Sequence, residues 1–302
     1  MGRDTSGAGG GPTTAERPRV TPLDAPAGTP VVVGVDRSGR SLSAVRLAAR
    51  EARLHDRPLH VLHSFNWLAD PNRYAGGEVR REAEQVAERA VAAATAAEPG
   101  LPITCELTEG PVASSLLRES NQAALLVIGD GGLLGCTCVP LDRTSVQVAA
   151  RAGCTVLISR ASPPPAGPVV VGVDGSPGSH CALEFAFVEA RRRGRDLVVV
   201  RVTERHEAGK ADPTGRLTTE TTPWRRRYPD VRVHHWAPEG DPTDLLVRES
   251  QRAELTVVGS RGEQPWRGML GAVAQSVLYH SPAPVAVVRG AHRIYVQSGQ
   301  DQ

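Results

Sequence analysis

The sequence contains the same two segments twice, in the same order. VVVGVDRSGRS at residues 31–41 returns as VVVGVDGSPGS at residues 169–179, with eight of eleven positions identical. EGPVASSLLRESNQAALLVIGDGG at residues 109–132 returns without a gap as EGDPTDLLVRESQRAELTVVGSRG at residues 239–262, with eleven of twenty-four positions identical. The chain must therefore fold into two copies of one domain, and any site in one copy has a counterpart in the other.

Segments poor in large apolar residues mark the limits of the two copies. With 302 residues, of which 40% are apolar, the chain has room for two domains that each bury a core. Residues 1–28 are rich in Gly, Pro, Thr and Ala and are expected to form a disordered tail, because they bury too little surface to offset the entropy of ordering. We expect a first copy at 29–160, a proline-rich linker at 161–167, a second copy at 168–290 and a C-terminal tail at 291–302.

Strand-like and helical segments alternate within each copy. In the first copy, runs of valine and other apolar residues predict strands at 31–35, 58–64, 103–107, 124–128 and 155–159. The second copy repeats the order with strands at 169–173, 197–202, 231–235, 255–258 and 284–288. This alternation predicts an α/β fold with two five-stranded parallel sheets, each with helices on both faces. Between 206 and 229, Pro213, Gly215 and Pro223 predict only a short helix around 224–228.

Charge, hydropathy and cysteine content exclude several classes of protein. The 35 basic and 33 acidic residues nearly cancel, so we expect no binding to nucleic acid. No apolar run approaches the roughly 20 residues that span a bilayer and no secretory signal begins the chain, which predicts a cytoplasmic protein that does not bind membranes. The five cysteines fit reduced thiols. Cys136 and Cys138 have the spacing of a metal or redox pair, but a zinc site needs about four ligands, and we favour small residues that fill a loop.

Two features of each copy fall where a parallel sheet binds ligands, beyond the carboxyl ends of its strands. One is an acid that ends the first strand, Asp36 or Asp174, and the other is a glycine loop after the fourth strand. The helix that follows the loop begins with free amides that favour an anion. Each acid is suited either to contact a ligand or to a structural role, in which it bonds turn amides or caps the next helix, and both roles are open.

Three motifs in order, the VGVDxS opening, the EGxP-type turn and a VVGSRG loop that leads into a helix, resemble the universal stress protein family in a tandem form. The resemblance implies flavodoxin-like domains of the HUP type that often bind ATP. It places the first-strand acid at the adenosine end and a G-2x-G-9x-G-(S/T) motif around the phosphates. Because single-domain members often dimerise, it also implies that the final strands, 155–159 and 284–288, pack together as an intramolecular pseudo-dimer, and it leaves a homodimer of the chain open.

The resemblance places a nucleotide site in the second copy. The residues that it implies are Asp174, Gly259, Ser260, Arg261, Gly262, Gly271 and Ala272. The second spacer has eight residues instead of nine, and Ala272 stands where the family has Ser or Thr. The missing hydroxyl removes a hydrogen bond to a charged oxygen that is worth about 1.5–3 kcal/mol. Arg261 is suited to balance phosphate charge, although an exposed loop arginine is more often solvated.

The first copy departs further from the motif. Gly129 and Gly132 are present, but Asp142 and Arg143 stand at the final pair, and Asp130 adds a second negative group. A carboxylate about 4 Å from a phosphate charge is repelled by about 4 kcal/mol at an effective dielectric near 20. We therefore expect ATP to bind mainly in the second copy, with the first copy as a structural or regulatory partner.

The predicted function is that of a non-enzymatic, ATP-binding regulatory module of the stress response. The altered glycine loop keeps one alternative open, an interaction module of the same fold that binds a protein partner and has lost the nucleotide. An ATP-consuming enzyme is disfavoured, because no set of acids, bases or metal ligands accompanies the loop.

Overall fold

A computed structural model describes residues 28–65, 76–134, 143–162, 164–203, 213–260 and 269–289. The first copy consists of β1 (Val31–Val35), α1 (Gly39–Leu54), β2 (Leu59–Phe65), α2 (Gly76–Ala97), β3 (Ile103–Glu109), α3 (Val112–Glu119), β4 (Leu125–Gly129), α4 (Thr144–Arg151) and β5 (Thr155–Ser159). The second copy consists of β6 (Val169–Gly172), α5 (Pro177–Arg193), β7 (Leu197–Val200), α6 (Pro213–Arg227), β8 (Val233–Trp236), α7 (Pro242–Ser250), β9 (Leu255–Gly259), α8 (Ala272–His280) and β10 (Val285–Val288). As far as the structure describes them, none of these helices is long and apolar enough to cross a membrane. The predicted tails lie almost wholly outside the described residues.

All ten strands form one sheet, in the order β3-β2-β1-β4-β5-β10-β9-β6-β7-β8. Within each copy the neighbouring strands are parallel. The copies meet where β5 and β10 pair antiparallel, with Leu157 opposite Ala286. The predicted fold class, two tandem flavodoxin-like α/β domains, is confirmed, and so is the predicted contact between the final strands. Strand ends differ from the predicted ones by two residues at most.

Alternating strand residues face two layers of helices. Val31 and Val33 of β1 pack in a core cluster with α1 and α2, whereas Val32 packs in a second cluster with α3 and α4 on the opposite face. In the second copy, α5 and α6 belong to the first cluster and α7 and α8 to the second. Burial on both faces explains why the strands read as valine runs without polar alternation.

The predicted short helix at 224–228 is wrong, because α6 has 15 residues and contains Pro223. Pro213 stands at the first helical position, where a backbone N–H would have no acceptor within the helix, so the N–H that proline lacks is not missed. Leu217 and Thr221 are fully buried, and the Thr221 hydroxyl donates to the carbonyl oxygen of Leu217 at 2.8 Å. Burial of one face against the sheet therefore outweighs the helix-breaking residues that the sequence displays.

Candidate functional site

In both copies the strand order reverses at the first strand. β1 lies between β2 and β4, and β6 lies between β7 and β9, so the connections leave the first strand of each copy in opposite directions. Ligands of open parallel sheets bind in a crevice at such a point, at the carboxyl ends of the strands. Asp36 directly follows β1 and Asp174 closely follows β6, while the glycine loops follow the adjacent strands β4 and β9. The structure thus brings the predicted acid and the start of the glycine loop together in each copy.

The crevice of the first copy is an open cleft of about 950 Å³. Asp36, Arg40, Gly131 and Arg143 line it, together with hydroxyls of the serines and threonine that surround them. These hydroxyl residues are Ser38, Ser41, Ser43, Ser64, Thr144 and Ser145. The end of β4 leaves the cleft unobstructed, since a Cβ added to Gly129 would meet no heavy atom within 4 Å. Its volume is that of a small-molecule site.

The two first-strand acids hold the turns that follow them. Asp36 Oδ1 accepts hydrogen bonds from the N–H and the hydroxyl of Ser38, at 2.8 and 2.5 Å. Asp174 Oδ1 accepts one from the N–H of Ser176 at 2.9 Å. Burial raises the pKa of Asp174, but hydrogen bonds from Ser176 and Ser179 outweigh burial and keep it below its ordinary value. The acids bond turn amides, whereas the N-cap residues of α1 and α5 are Ser38 and Ser176.

The glycine loop of the first copy contains its own anion. Asp130 is 5% exposed, and its Oδ1 accepts the N–H of Gly132 at 3.0 Å. Its Oδ2 lies 3.8 Å from Nη1 of Arg160, a buried residue whose pKa burial lowers to about 10 against the opposing effect of Asp130. The negative group predicted at Asp130 is thus buried and paired. Arg160 balances the charge, and the carboxylate takes a backbone amide that a phosphate would need.

Two arginine side chains that the motif analysis did not single out as ligands also reach this loop. A Cβ added to Gly132 would lie 2.6 Å from Nη1 of Arg40 and 3.8 Å from Nη1 of Arg143. Arg143 is the N-cap residue of α4 and donates a hydrogen bond to the carbonyl oxygen of Gly131. The repeat itself carried a signal for Arg40, because Gly178 stands at the equivalent position of the second copy. The side chains of Arg40 and Arg143 thus bring positive charge to the glycine loop of the first copy.

The second copy is closed at the position where the first is open. A Cβ added to Gly259 would lie 3.0 Å from the backbone carbonyl of Gly178, so the start of α5 packs directly on the end of β9. Ser260 is 6% exposed and replaces the buried acid of the first copy. Its carbonyl oxygen accepts the N–H of Gly271 at 3.0 Å, which joins the two ends of the glycine loop. Gly271 is the N-cap of α8 and Ala272 begins the helix, and no side chain of the described residues caps it.

The described part of the predicted nucleotide site consists of Asp174, Gly259, Ser260, Gly271 and Ala272. Asp174 lies beyond β6, which pairs with the strand that ends at Gly259. Arg261 and Gly262 lie outside the described residues, and so do Asp142, Cys136 and Cys138 of the first copy. The roles proposed for them stay predictions.

Comparisons with known proteins match both copies to the same family. The sequence profile described as the universal stress protein family matches residues 29–160 and 166–289. A universal stress protein of Mycolicibacterium smegmatis is 35% identical over 287 residues, which cover 86% of this chain and 96% of that protein. A universal stress protein of Mycobacterium tuberculosis is 33% identical over 284 residues, with the same coverage of both chains. The crystal structure of a universal stress protein from Archaeoglobus fulgidus has a TM-score of 0.72 at 22% identity, covers 87% of this chain and 97% of its own, and supports the fold.

Proposed function

Since the chain belongs to the universal stress protein family, we propose that it binds an adenine nucleotide, mainly in its second copy, and acts as a non-enzymatic regulatory module. The observation that supports the second copy is the replacement of a buried acid by Ser260. In the first copy, Asp130 takes the N–H of Gly132, which a phosphate would need. Serine at this position carries no carboxylate that would compete with a phosphate for loop amides.

The remaining residues of the proposed site divide between the two ends of ATP. The first turn of α8, which begins at Ala272, offers backbone N–H groups and the positive end of the helix dipole to the phosphates, whereas the N–H of Gly271 is donated to the carbonyl oxygen of Ser260. Gly262 and Arg261 would complete the phosphate loop. Asp174, held in its ionised form, is suited to accept hydrogen bonds from the ribose hydroxyls at the adenosine end.

A binding role needs no catalytic group in this site. The carboxylate of Asp174 has a depressed pKa because Ser176 and Ser179 donate hydrogen bonds to it. A carboxylate with a low pKa is a weak general base at neutral pH. This chemistry favours the retention of ATP over its hydrolysis.

Released ligand and direct titration test the proposal. The purified full-length protein is denatured and the released small molecules are separated by chromatography, where co-purified ATP supports the proposal. An empty protein that also fails to bind added ATP would favour the interaction module, and rapid turnover of ATP would favour an enzyme. In calorimetric titrations, Gly262→Asp should abolish ATP binding, because it puts a carboxylate into the phosphate loop.

Gly39→Asp is the matched control for this titration. Gly39 lines the cleft of the first copy, and a Cβ there would meet no heavy atom within 4 Å, so the acid is added without a steric conflict. The variant should leave the binding of ATP to the second copy unchanged. Loss of binding in Gly39→Asp with retention in Gly262→Asp would move the site to the first copy.

The open cleft favours a second, separate ligand function for the first copy. Its volume of about 950 Å³ and the two arginines that line it fit a nucleotide-sized anion held by side chains instead of loop amides. Replacement of Arg40 by the glycine found in the second copy, Arg40→Gly, should weaken such a complex. Binding of ATP to two sites per chain in the wild type and to one in Arg40→Gly would support this function.

A further inference from the structure

Four buried polar side chains meet where α1 of the first copy crosses α5 of the second. Glu51 and His55 lie one turn apart on the first helix and its C-cap, and Glu189 and Arg193 lie at the equivalent positions, 138 residues further along. Their side chains are 2, 7, 1 and 5% exposed, respectively. The four residues form a nearly symmetric cluster in which His55 faces Glu189 and Arg193 faces Glu51.

Arg193 binds one oxygen of each carboxylate and leaves the other oxygen free of its guanidinium. It donates to Glu51 Oε1 and to Glu189 Oε2. The remaining oxygens face His55, with Glu189 Oε1 at 2.8 Å and Glu51 Oε2 at 3.7 Å from its Nε2. Among the described residues, no hydrogen bond of good geometry reaches these three buried atoms, and their close polar contacts are with one another. Buried polar atoms without a well-formed hydrogen bond are costly, and three of them converge on one point.

We propose that Glu51, His55 and Glu189 bind a divalent metal ion of the zinc class, shared between the two copies. One imidazole nitrogen and two carboxylate oxygens are the donors that zinc and its transition-metal neighbours accept, whereas calcium and magnesium prefer oxygen alone. The three ligand atoms lie within 4.8 Å of one another. Metal–ligand bonds of about 2.0 Å separate tetrahedral ligands by about 3.3 Å, so small side-chain rotations would complete the site.

The groups around the three ligands suit this role. Arg193 fixes the orientation of both carboxylates from outside the coordination shell. Arg192 contacts Nδ1 of His55, and its exposed side chain must turn to solvent so that Nδ1 can carry the proton that coordination through Nε2 requires. The bound ion would join α1 to α5 and hold the two copies together.

Metal titration of the full chain tests the proposal. The protein is treated with a chelator, desalted and titrated with Zn²⁺ by calorimetry and with Co²⁺ by visible absorbance. We expect one ion per chain and the intense absorbance of tetrahedral Co²⁺. Wild-type protein that binds neither ion would overturn the proposal.

Two variants that preserve the fold identify the ligands. His55→Arg introduces the residue of the second copy and allows two Arg–Glu pairs, so the protein should fold with an unchanged or higher unfolding temperature while its Zn²⁺ affinity falls more than about a hundredfold. Glu51→Gln still accepts a hydrogen bond from Arg193 but loses a ligand, and should also bind weakly. His234→Gln removes an exposed histidine that pairs with Asp196 and should bind like the wild type. Equal Zn²⁺ binding by His55→Arg and the wild type would refute the assignment.

Discussion

The two copies have the same strand order, but their glycine loops carry different side chains, a buried acid in the first copy and a neutral serine in the second. The cleft of the first copy is wide, with a buried acid under its glycine loop and arginine side chains around it. In the second, α5 packs onto the end of β9, and a neutral serine stands at the position of the acid. The first copy keeps Gly129 and Gly132 although Asp130 occupies the amide of Gly132. Glycines at the positions of the motif therefore do not by themselves leave a loop amide available, because a neighbouring side chain can accept its hydrogen bond.

The largest difference in stability should appear when the arginine that follows the last strand of each copy, Arg160 or Arg289, is replaced. Arg160→Met leaves Asp130 buried without its partner and removes hydrogen bonds to the carbonyl oxygens of Leu278 and Ala283, so we expect a loss of about 3–5 kcal/mol in the free energy of unfolding. Arg289→Met removes a hydrogen bond to Ala150, which should cost about 1 kcal/mol. Urea unfolding measures both. The double variant Asp130→Ser/Arg160→Met should regain most of the loss, and equal losses in the two single variants would contradict the asymmetry.

Substitutions at the equivalent loop positions 130 and 260 should have unequal effects on ATP affinity. Ser260→Asp gives the second copy the internal acid of the first, and we expect ATP affinity to fall about a hundredfold, or about 2.7 kcal/mol, because the new carboxylate would compete with the phosphates for loop amides. Asp130→Ser is the reciprocal change and should leave the affinity of the second copy unchanged. Calorimetric titration checks both. An unaltered affinity in Ser260→Asp would remove the support for the second copy as the main site.

The end of the fourth strand offers a purely steric comparison. Gly259→Ala places a Cβ 3.0 Å from the backbone of Gly178, and we expect a loss of about 1–3 kcal/mol in stability, because backbone atoms cannot rotate away. Gly129→Ala meets no atom within 4 Å and should stabilise the protein by about 0.4–1 kcal/mol through reduced entropy of the unfolded chain. Thermal unfolding should show shifts of opposite sign.

The smallest expected difference concerns the caps of α1 and α5. Ser176 accepts the N–H of Ser179 at 3.2 Å, so Ser176→Ala should cost about 1 kcal/mol. Ser38 is the equivalent N-cap residue but makes no side-chain cap bond, and its hydroxyl donates to Asp36 at an exposed position where water can replace it, so Ser38→Ala should cost less than about 0.5 kcal/mol. Unfolding of the two variants under identical conditions measures the difference. A larger loss in Ser38→Ala would show that the two turns are not ordered as the structure describes.

The fold could be predicted because its signals are local and occur twice. Valine runs predict buried parallel strands, and the repeat fixes their number. The length of α6 could not be predicted in this way, since Pro223 argues against a helix and only the burial of Leu217 and Thr221 against distant strands outweighs it. Local propensity fails where tertiary packing supplies most of the stability.

The candidate site was predictable as far as its motif residues extend. Asp174 and the glycines follow from the motif, but the function of Asp130 depends on Arg160, which reaches it from the end of another strand. The pairing of Glu51 with Arg193 is harder still to foresee, because it joins residues of different copies. Contacts of this kind depend on how the sheet is assembled and leave no periodic trace in the sequence.

The antiparallel pairing of β5 with β10 has a consequence for how this molecule can change. In an assembly of two identical chains about a twofold axis, every contact occurs twice, so one substitution alters both sides together. Here the two sides are specified by separate codons. Leu278 and Ala150 still receive equivalent arginines from the opposite half, while His55 stands where symmetry would place a second arginine. Because the two halves are joined in one chain, a residue on one side of the junction can be substituted while its equivalent on the other side is retained.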